Sequence, residues 1–343
     1  MIPYLVLFIL FCFVFFIAYI RYIEISKALL FNFIILALFI GLRDQVGADW
    51  PGYKLAFDQK YEYFEIGYTL VAKFFRHLGC SFNWFLMFMS FITVAPIFLF
   101  FRKYQDSICI IPSFFVISFM GLIAISSIIR QAFAMSVFLY SWIYLEKKDL
   151  TRYALCIILA SLFHKSALIL ILLYPIGYLT LKNKMYWYLY GGALLLGVVK
   201  FPIDKIIAVL PLELGDYSGY FDSVYAVSRE FGFVVFGRLS LYFVVLVLSL
   251  QYSTVKKELL FKMFVLGAVF YNLSLSSTFF SRFENYFIYS AYFYIPILLT
   301  HLRFGKDIIF IFRYVIYASW LILIMAKLFN PINKMIPYNM FLL

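Results

Sequence analysis

Long apolar runs, broken by short polar turns, set the pattern of this chain. A helix needs about 20 apolar residues to cross a bilayer, and fewer where the membrane thins. Such runs predict spans near 2–20, 27–42, 82–101, 108–126, 128–145, 152–164, 166–181, 186–200, 233–252, 259–276, 286–301 and 308–328. No ten-residue alternation of apolar and polar positions occurs, so helices are expected rather than a barrel. The expected fold class is all-α: one polytopic membrane domain over 1–343 with about 12 spans. The 152–181 stretch is unusual, because its halves are short and His164–Lys165–Ser166 between them holds no Gly or Pro.

Charge orders these runs. Arg21 with Lys27, Arg102 with Lys103, and Lys147, Lys148 and Arg152 follow alternate spans. Lys182 with Lys184, Lys256 with Lys257, and Arg303 with Lys306 continue the series. Short basic loops belong on the cytoplasmic side. One long helix over 152–181 would send Lys182 and Lys184 to the opposite face from Lys147 and Lys148, so a hairpin turning at His164 is expected. Both termini then lie outside, with two long outer loops, 43–81 and 201–232. The second holds Asp204, Glu213, Asp216, Asp222 and Glu230 against Lys205 and Arg229. Within the first, 64–78 has apolar residues at 64, 66, 68, 70, 71, 74, 75 and 78, interrupted by Glu65, Lys73, Arg76 and His77. That is too short and too charged to span, and predicts an amphipathic helix on the outer membrane surface.

Composition agrees. The 343 residues are 65% hydrophobic and 13% charged, which no water-soluble core could hide. The net charge of +12 would point to nucleic acid in a soluble chain, but here Lys and Arg punctuate loops, so no nucleic-acid partner is expected. The first apolar run lacks a basic leader and a small-residue cleavage site, and reads as an uncleaved span. Cys12, Cys80, Cys109 and Cys156 form no CxxC pair, which predicts neither a disulfide framework nor a zinc site. His77, His164 and His301 fall apart in this topology, so no metal cluster is expected from them.

The candidate chemistry gathers on the outer face. Arg43–Tyr53, RDQVGADWPGY, combines Arg43, Asp44 and Asp49 with Gly47, Pro51 and Gly52, and reads as a structured turn at the membrane boundary. Arg130 and Gln131 open a span with no acid nearby in sequence. His164 and Lys165 form the hairpin tip, and Arg282 and Glu284 precede the eleventh span. Ionisable groups are costly in a bilayer, so several on one face suggest a shared site. Each also has a plainer reading. Arg43 could end a helix and snorkel, Asp44 could pair with it, and Asp49 could shape the turn. His164 could be a structural histidine, and Arg282 could pair with Glu284. For Arg130, which needs a counter-charge that a lipid phosphate would supply, function is favoured. No Walker loop, GxGxxG, GxSxG or HExxH occurs.

In order and spacing these pieces resemble the EpsG-like branch of Wzy-type polymerases of O-antigen and exopolysaccharide repeat units. The matching stretches are GLRDQVGADWPGY at 41–53, FEIGY at 64–68, SSIIRQAFA at 126–134, ASLFHKSALIL at 160–170 and SRFENYF at 281–287. The match covers the first half well and thins later. A familiar variant of the first motif has Thr and Tyr in place of Ala48 and Trp50.

The resemblance implies a bacterial inner-membrane glycosyltransferase of GT-C-like architecture, working on the periplasmic face. It would transfer the growing glycan from undecaprenyl diphosphate to the non-reducing end of a new lipid-linked repeat unit. The expected partners are that undecaprenyl-diphosphate-linked oligosaccharide, membrane lipid, a chain-length regulator and a flippase. The expected diphosphate clamp is Arg43, Arg130 and Arg282, because guanidinium forks suit phosphate oxygens. Asp44 and Asp49 are the candidate bases, with His164 and Glu284 behind them. Gln131, Trp50, Tyr53 and Lys165 are the candidate substrate contacts. No cofactor is expected; a divalent ion, if used, has Asp44 and Asp49 as its obvious outer-face carboxylates. An O-antigen ligase or a monosaccharide transferase with a polyprenyl-phosphate donor, an acyltransferase around His164, and a flippase or transporter of lipid-linked sugars are the competing readings.

Overall fold

The computed structural model describes residues 2–105, 110–202, 228–252, 259–302 and 306–341. Most of the 201–232 loop, with Asp204, Glu213, Asp216 and Asp222, lies outside the described residues, as do Cys109, Lys256, Lys257 and Arg303. Helix makes up 80% of the structure, in keeping with an all-α class. The α-helices are α1 (Ile2–Tyr19), α2 (Ile25–Gly41), α3 (Trp50–Asp58), α4 (Ile66–His77), α5 (Phe82–Lys103), α6 (Ile110–Ser127) and α7 (Ile129–Glu146). They continue with α8 (Leu150–Phe163), α9 (Asn183–Val198), α10 (Phe233–Tyr252), α11 (Leu259–Leu273), α12 (Ser281–His301) and α13 (Lys306–Phe329). Two compact units result: Met1–Tyr174 with Arg313–Leu343, and Pro175–Phe312.

Helical segments occupy each predicted span position. Five among the described residues, α1, α5, α6, α10 and α13, are long and apolar enough to cross a membrane. Stretches Ile25–Gly41, Leu150–Phe163, Lys165–Gly177 and Leu259–Leu273 are apolar but shorter. Helices α7 and α12 carry Arg130, Gln131, Arg282 and Glu284, and most of their side chains are buried against protein. A helix enclosed by its neighbours does not need lipid-level apolarity. Arg43–Tyr53 is less of a turn than its composition implies: Pro51 sits in the first turn of α3, where its missing N–H costs nothing.

The 152–181 stretch breaks at His164, whose extended backbone (φ −154°, ψ 106°) ends α8. Lys165–Gly177 continues as a 3-10 helix. At about 2.0 Å per residue, 13 such residues reach about 26 Å, against about 20 Å for an α-helix. Tyr174 donates to the Lys148 carbonyl at 2.7 Å, and the Tyr153 hydroxyl bonds the Leu170 carbonyl. The segment therefore runs back along α8.

In the first unit, α2, α5 and α7 pack side by side and α8 lies on α7. Short helix α3 seats Trp50 and Phe57 on Phe82 and Phe85 at the start of α5, with ring centroids 5.3–5.6 Å apart. At the other end of α5, Tyr104 bonds Glu146 at the end of α7. The basic pairs Arg102/Lys103 and Lys147/Lys148 therefore share one end of the unit. The opposite end holds the C-terminus of α2, and the C-terminal tail returns to it. Strand β1 (Arg43–Asp44) pairs antiparallel with β2 (Asn339–Met340), Gly47 N–H donates to the Lys334 carbonyl at 3.0 Å, and Tyr4 donates to the Met335 carbonyl at 2.5 Å.

Arg43 is the brace of that end. It is 1% exposed and has no carboxylate within ion-pair distance among the described residues. Instead it donates to the carbonyls of Ile40 (2.6 Å) and Ile125 (3.4 Å), near the C-terminal ends of α2 and α6. Carbonyl ends of helices carry partial negative charge and suit a cation. Burial pulls its pKa down to about 10.

In the second unit, α11 packs between α9 and α12. Gly197 allows the approach: a Cβ there would stand 2.0 Å from the Asn272 carbonyl. Asn272 Nδ2 donates to the Tyr190 carbonyl at 3.2 Å, and Tyr190 to the Leu239 carbonyl at 3.1 Å.

Gly47 has φ +107°, and a Cβ on it would lie 1.9 Å from the Ser126 carbonyl oxygen. Gly47→Ala is expected to destabilise the protein by more than about 2 kcal/mol, through backbone strain and overpacking together. Gly52, with open space around it, should accept Ala with little change. Thermal unfolding of the two variants in detergent checks this; equal melting temperatures would refute it.

Candidate functional site

A carboxylate among apolar side chains is stable only if paired and hydrogen-bonded. Glu65, whose side chain is 10% exposed, meets that demand at the residue before α4. Gly67 makes the placement possible. A Cβ there would lie 2.7 Å from the Leu162 carbonyl and 2.8 Å from the Phe163 ring, so only Gly lets α4 start flush against the end of α8. Glu65 thereby reaches His164, whose Nδ1 is 3.2 Å from Oε1, and the Lys165 backbone N–H, which donates to Oε1 at 3.4 Å.

Arg130, in the first turn of α7, binds the other oxygen: its Nη1 donates to Glu65 Oε2. Its guanidinium carbon also lies 4.2 Å from the Phe64 ring centroid and 5.8 Å from that of Tyr53. Stacked, ion-paired Arg is a geometry Lys cannot reproduce. The rings of Phe133 and Phe163, 4.2 Å apart, tie α7 to α8 behind the cluster. Burial pushes the Glu65 carboxyl up, but the His164 hydrogen bond and the Arg130 charge more than offset this and hold it at about 2. Burial likewise pushes the Tyr53 hydroxyl up, with Arg130 pulling the other way.

The sequence-predicted residues divide by place. Arg130, His164, Lys165 and Tyr53 meet around Glu65. Asp49, exposed before α3, lies within range of the Arg130 charge, while Asp44 is half-buried in β1. Trp50 is buried on Phe82, and Gln131 is buried on α7. Arg43 is enclosed against carbonyls, although the first motif as a whole grips the end of α6 through Gly47, through Ala48 N–H to Ser127 Oγ (3.5 Å) and through Arg43 itself. Among the described residues no group of three or more His, Cys, Asp or Glu stands close enough to hold a metal ion.

Glu284 and Arg282 lie in the second unit, in the first turn of α12. Glu284 is buried and binds two guanidiniums, Arg238 at 2.5 Å and Arg229 at 3.3 Å. Three functional-looking residues escaped the sequence reading. Glu65 looked like a polar break in an amphipathic helix, although it stands inside FEIGY. Arg238 sits in the apolar run FVVFGRLSLYF, the same signal that singled out Arg130. Arg229 was one charge in a loop.

Arg130 thus takes its counter-charge from within the protein, and its guanidinium and the His164 imidazole share the Glu65 carboxylate. The chain matches one family, described as the EpsG family, over residues 26–340. No curated protein and no solved structure matches it.

Glu65 contributes stability that is complete above its ordinary pKa of 4.5 and is lost as pH falls toward about 2. At about 1.4 kcal/mol per pH unit the displacement is worth about 3 kcal/mol. Unfolding measured from pH 6 to pH 3 should show falling stability in the wild type and a flatter curve for Glu65→Gln. Identical slopes would show that Glu65 is not held ionised.

Proposed function

The chain belongs to the EpsG family, a family of Wzy-type polymerases, and from that premise we propose that it polymerises lipid-linked oligosaccharide repeat units. The donor is the growing glycan on undecaprenyl diphosphate, and the acceptor is the non-reducing end of a new lipid-linked repeat unit. The observation that carries the reading is the Glu65–Arg130–His164 cluster, assembled from three family-like motifs in a strongly apolar helical protein.

The chemistry follows from the groups present. An acceptor hydroxyl oxygen attacks the anomeric carbon, the bond from that carbon to the diphosphate breaks, and the hydroxyl proton passes to a base. The His164 imidazole, paired through Nδ1 with Glu65, is the first candidate base. Glu65 orients the ring and stabilises the imidazolium that forms. Asp49, exposed and near Arg130, is the second candidate base, and Asp44 the third. Arg130 offers charge to the leaving diphosphate. The buried aromatic surround raises the strength of each interaction. Arg43 acts indirectly, by fixing the first motif to α6.

The enzyme lies in the bacterial inner membrane with this site on the periplasmic side. The clustering of Arg102, Lys103, Lys147 and Lys148 at the opposite end of the first unit supports that orientation. Twelve spans and a GT-C-like arrangement are part of the same proposal. So are Arg282 and Glu284 as functional residues of the second unit, Gln131, Trp50, Tyr53 and Lys165 as substrate contacts, and a chain-length regulator and flippase as partners.

Purified protein given lipid-linked repeat units should form a ladder of polymer without nucleotide sugar. Arg130→Ala and His164→Ala should each lower the rate by about 100-fold or more, the usual scale for general-base or oxyanion partners. Normal laddering in both, in protein that inserts and folds, would sink the assignment. A strain lacking the protein should cap its lipid with one repeat unit. Long undecaprenyl-linked polymer in that strain would instead mark a ligase.

A further inference from the structure

The second unit holds a charge arrangement that the sequence motifs do not explain. One end of it brings together Arg229, just before α10, Arg238 in the second turn of α10, Tyr271 near the end of α11 and Glu284 in the first turn of α12. Glu284 is 2% exposed, and each of its oxygens takes one guanidinium: Oε1 from Arg238 at 2.5 Å and Oε2 from Arg229 at 3.3 Å. Both guanidiniums also lie over the same ring, Arg238 at 4.3 Å and Arg229 at 5.1 Å from the Tyr271 centroid. Tyr242 accepts from Arg238 Nε at 3.1 Å and Nη2 at 2.9 Å.

The balance of this cluster is two positive groups against one negative. Neither Arg has a second carboxylate partner among the described residues. Among the described residues the cluster thus carries a surplus positive charge in a partly buried setting, where a counter-anion is favoured. The donors are not used up either. Arg238 Nη1 makes no hydrogen bond among the described residues, while Arg229 divides its donors between Glu284 and Tyr271. The two side chains remain about one quarter exposed, 24% for Arg238 and 27% for Arg229, so an ion can reach them. A structural ion pair would need only one Arg. Two, held rigid by a shared carboxylate and a shared ring, make a preorganised fork.

We propose that Arg229 and Arg238, held by Glu284 and Tyr271, form an oxyanion site of the phosphate or diphosphate class. Paired guanidiniums present the bidentate donors that phosphate oxygens accept. Two from adjacent positions suit a diphosphate, whose charge spreads over two phosphoryl groups. Placing a lipid diphosphate there as donor or leaving group rests on the polymerase reading; the anion site itself does not. Glu284 in this arrangement is a positioning residue, because it touches the guanidiniums rather than the ligand.

The test is binding by the purified full-length protein, with two probes. Inorganic pyrophosphate is titrated calorimetrically into protein in detergent, and protein in nanodiscs is offered polyprenyl diphosphate, with the uncharged prenol as control. Saturable pyrophosphate binding that weakens with salt supports the site and places recognition in the free anion. Binding of polyprenyl diphosphate alone supports it and shows that recognition needs the lipid. In either case Arg229→Gln should weaken binding by about tenfold or more, the scale of one charge-assisted contact. Glu284→Gln, which removes the charge that positions the two guanidiniums, should weaken binding, and the conservative Glu284→Asp should restore part of it; unchanged binding in Glu284→Gln would overturn the positioning role. Arg229 lies outside α10 and is partly exposed, so its variant remains informative if Arg238→Gln fails to fold. Absence of binding to both probes, or binding unchanged in Arg229→Gln, overturns the proposal. Polymerisation without Arg229-dependent binding overturns the site alone; such binding in protein that never polymerises overturns the polymerase reading alone.

Discussion

A carboxylate cannot rest unpaired in an apolar interior, and the first unit is arranged around that constraint at Glu65. Its two oxygens are satisfied from opposite directions, by Arg130 on α7 and by His164 and the Lys165 N–H past the end of α8. The partners lie 65 and 99 residues away along the chain, so the pairing closes long loops. Two glycines make the closure sterically possible. Gly67 lets α4 meet α8, and Gly47 lets the first motif lie on the end of α6, three residues before α7 begins. Four motifs that are scattered in sequence are therefore contiguous in space for a packing reason.

The buried cations are handled by different means. Arg130 has a carboxylate, two rings and partial access to solvent. Arg43 has helix-end carbonyls and no access, which suits a brace and not a ligand contact. In the second unit Glu284 is shared between two guanidiniums, leaving a positive surplus among the described residues. Each cation sits at a helix end or near a tyrosine cluster, where partial charges and ring faces replace water. In a protein so rich in Phe and Tyr, these are the polar resources at hand.

Much of the architecture was legible in the chain because its cause is local. Apolar runs long enough to form helices recur along it, and each becomes helical. The break at His164, inferred from loop charge alone, appears as an extended residue between α8 and a 3-10 segment that runs back along it. The 3-10 geometry itself was not legible: it stretches a short run, and nothing in its composition names it. Nor was α3, hidden behind Asp49, Pro51 and Gly52, where turn-forming residues open a helix.

By itself the sequence determined the helices, the basic pairs that gather at one end of the first unit, and the motifs that mark the family, because these depend on neighbouring residues and solvent preference. Only the tertiary structure decided what the charged residues do. It gave Arg130 a carboxylate partner, enclosed Arg43, tied His164 to Glu65 and set Arg238 against Glu284. The reason is physical: ionic pairing in a low-dielectric interior is chosen by proximity in space. Proximity here comes from glycine-permitted contacts between helices far apart in the chain.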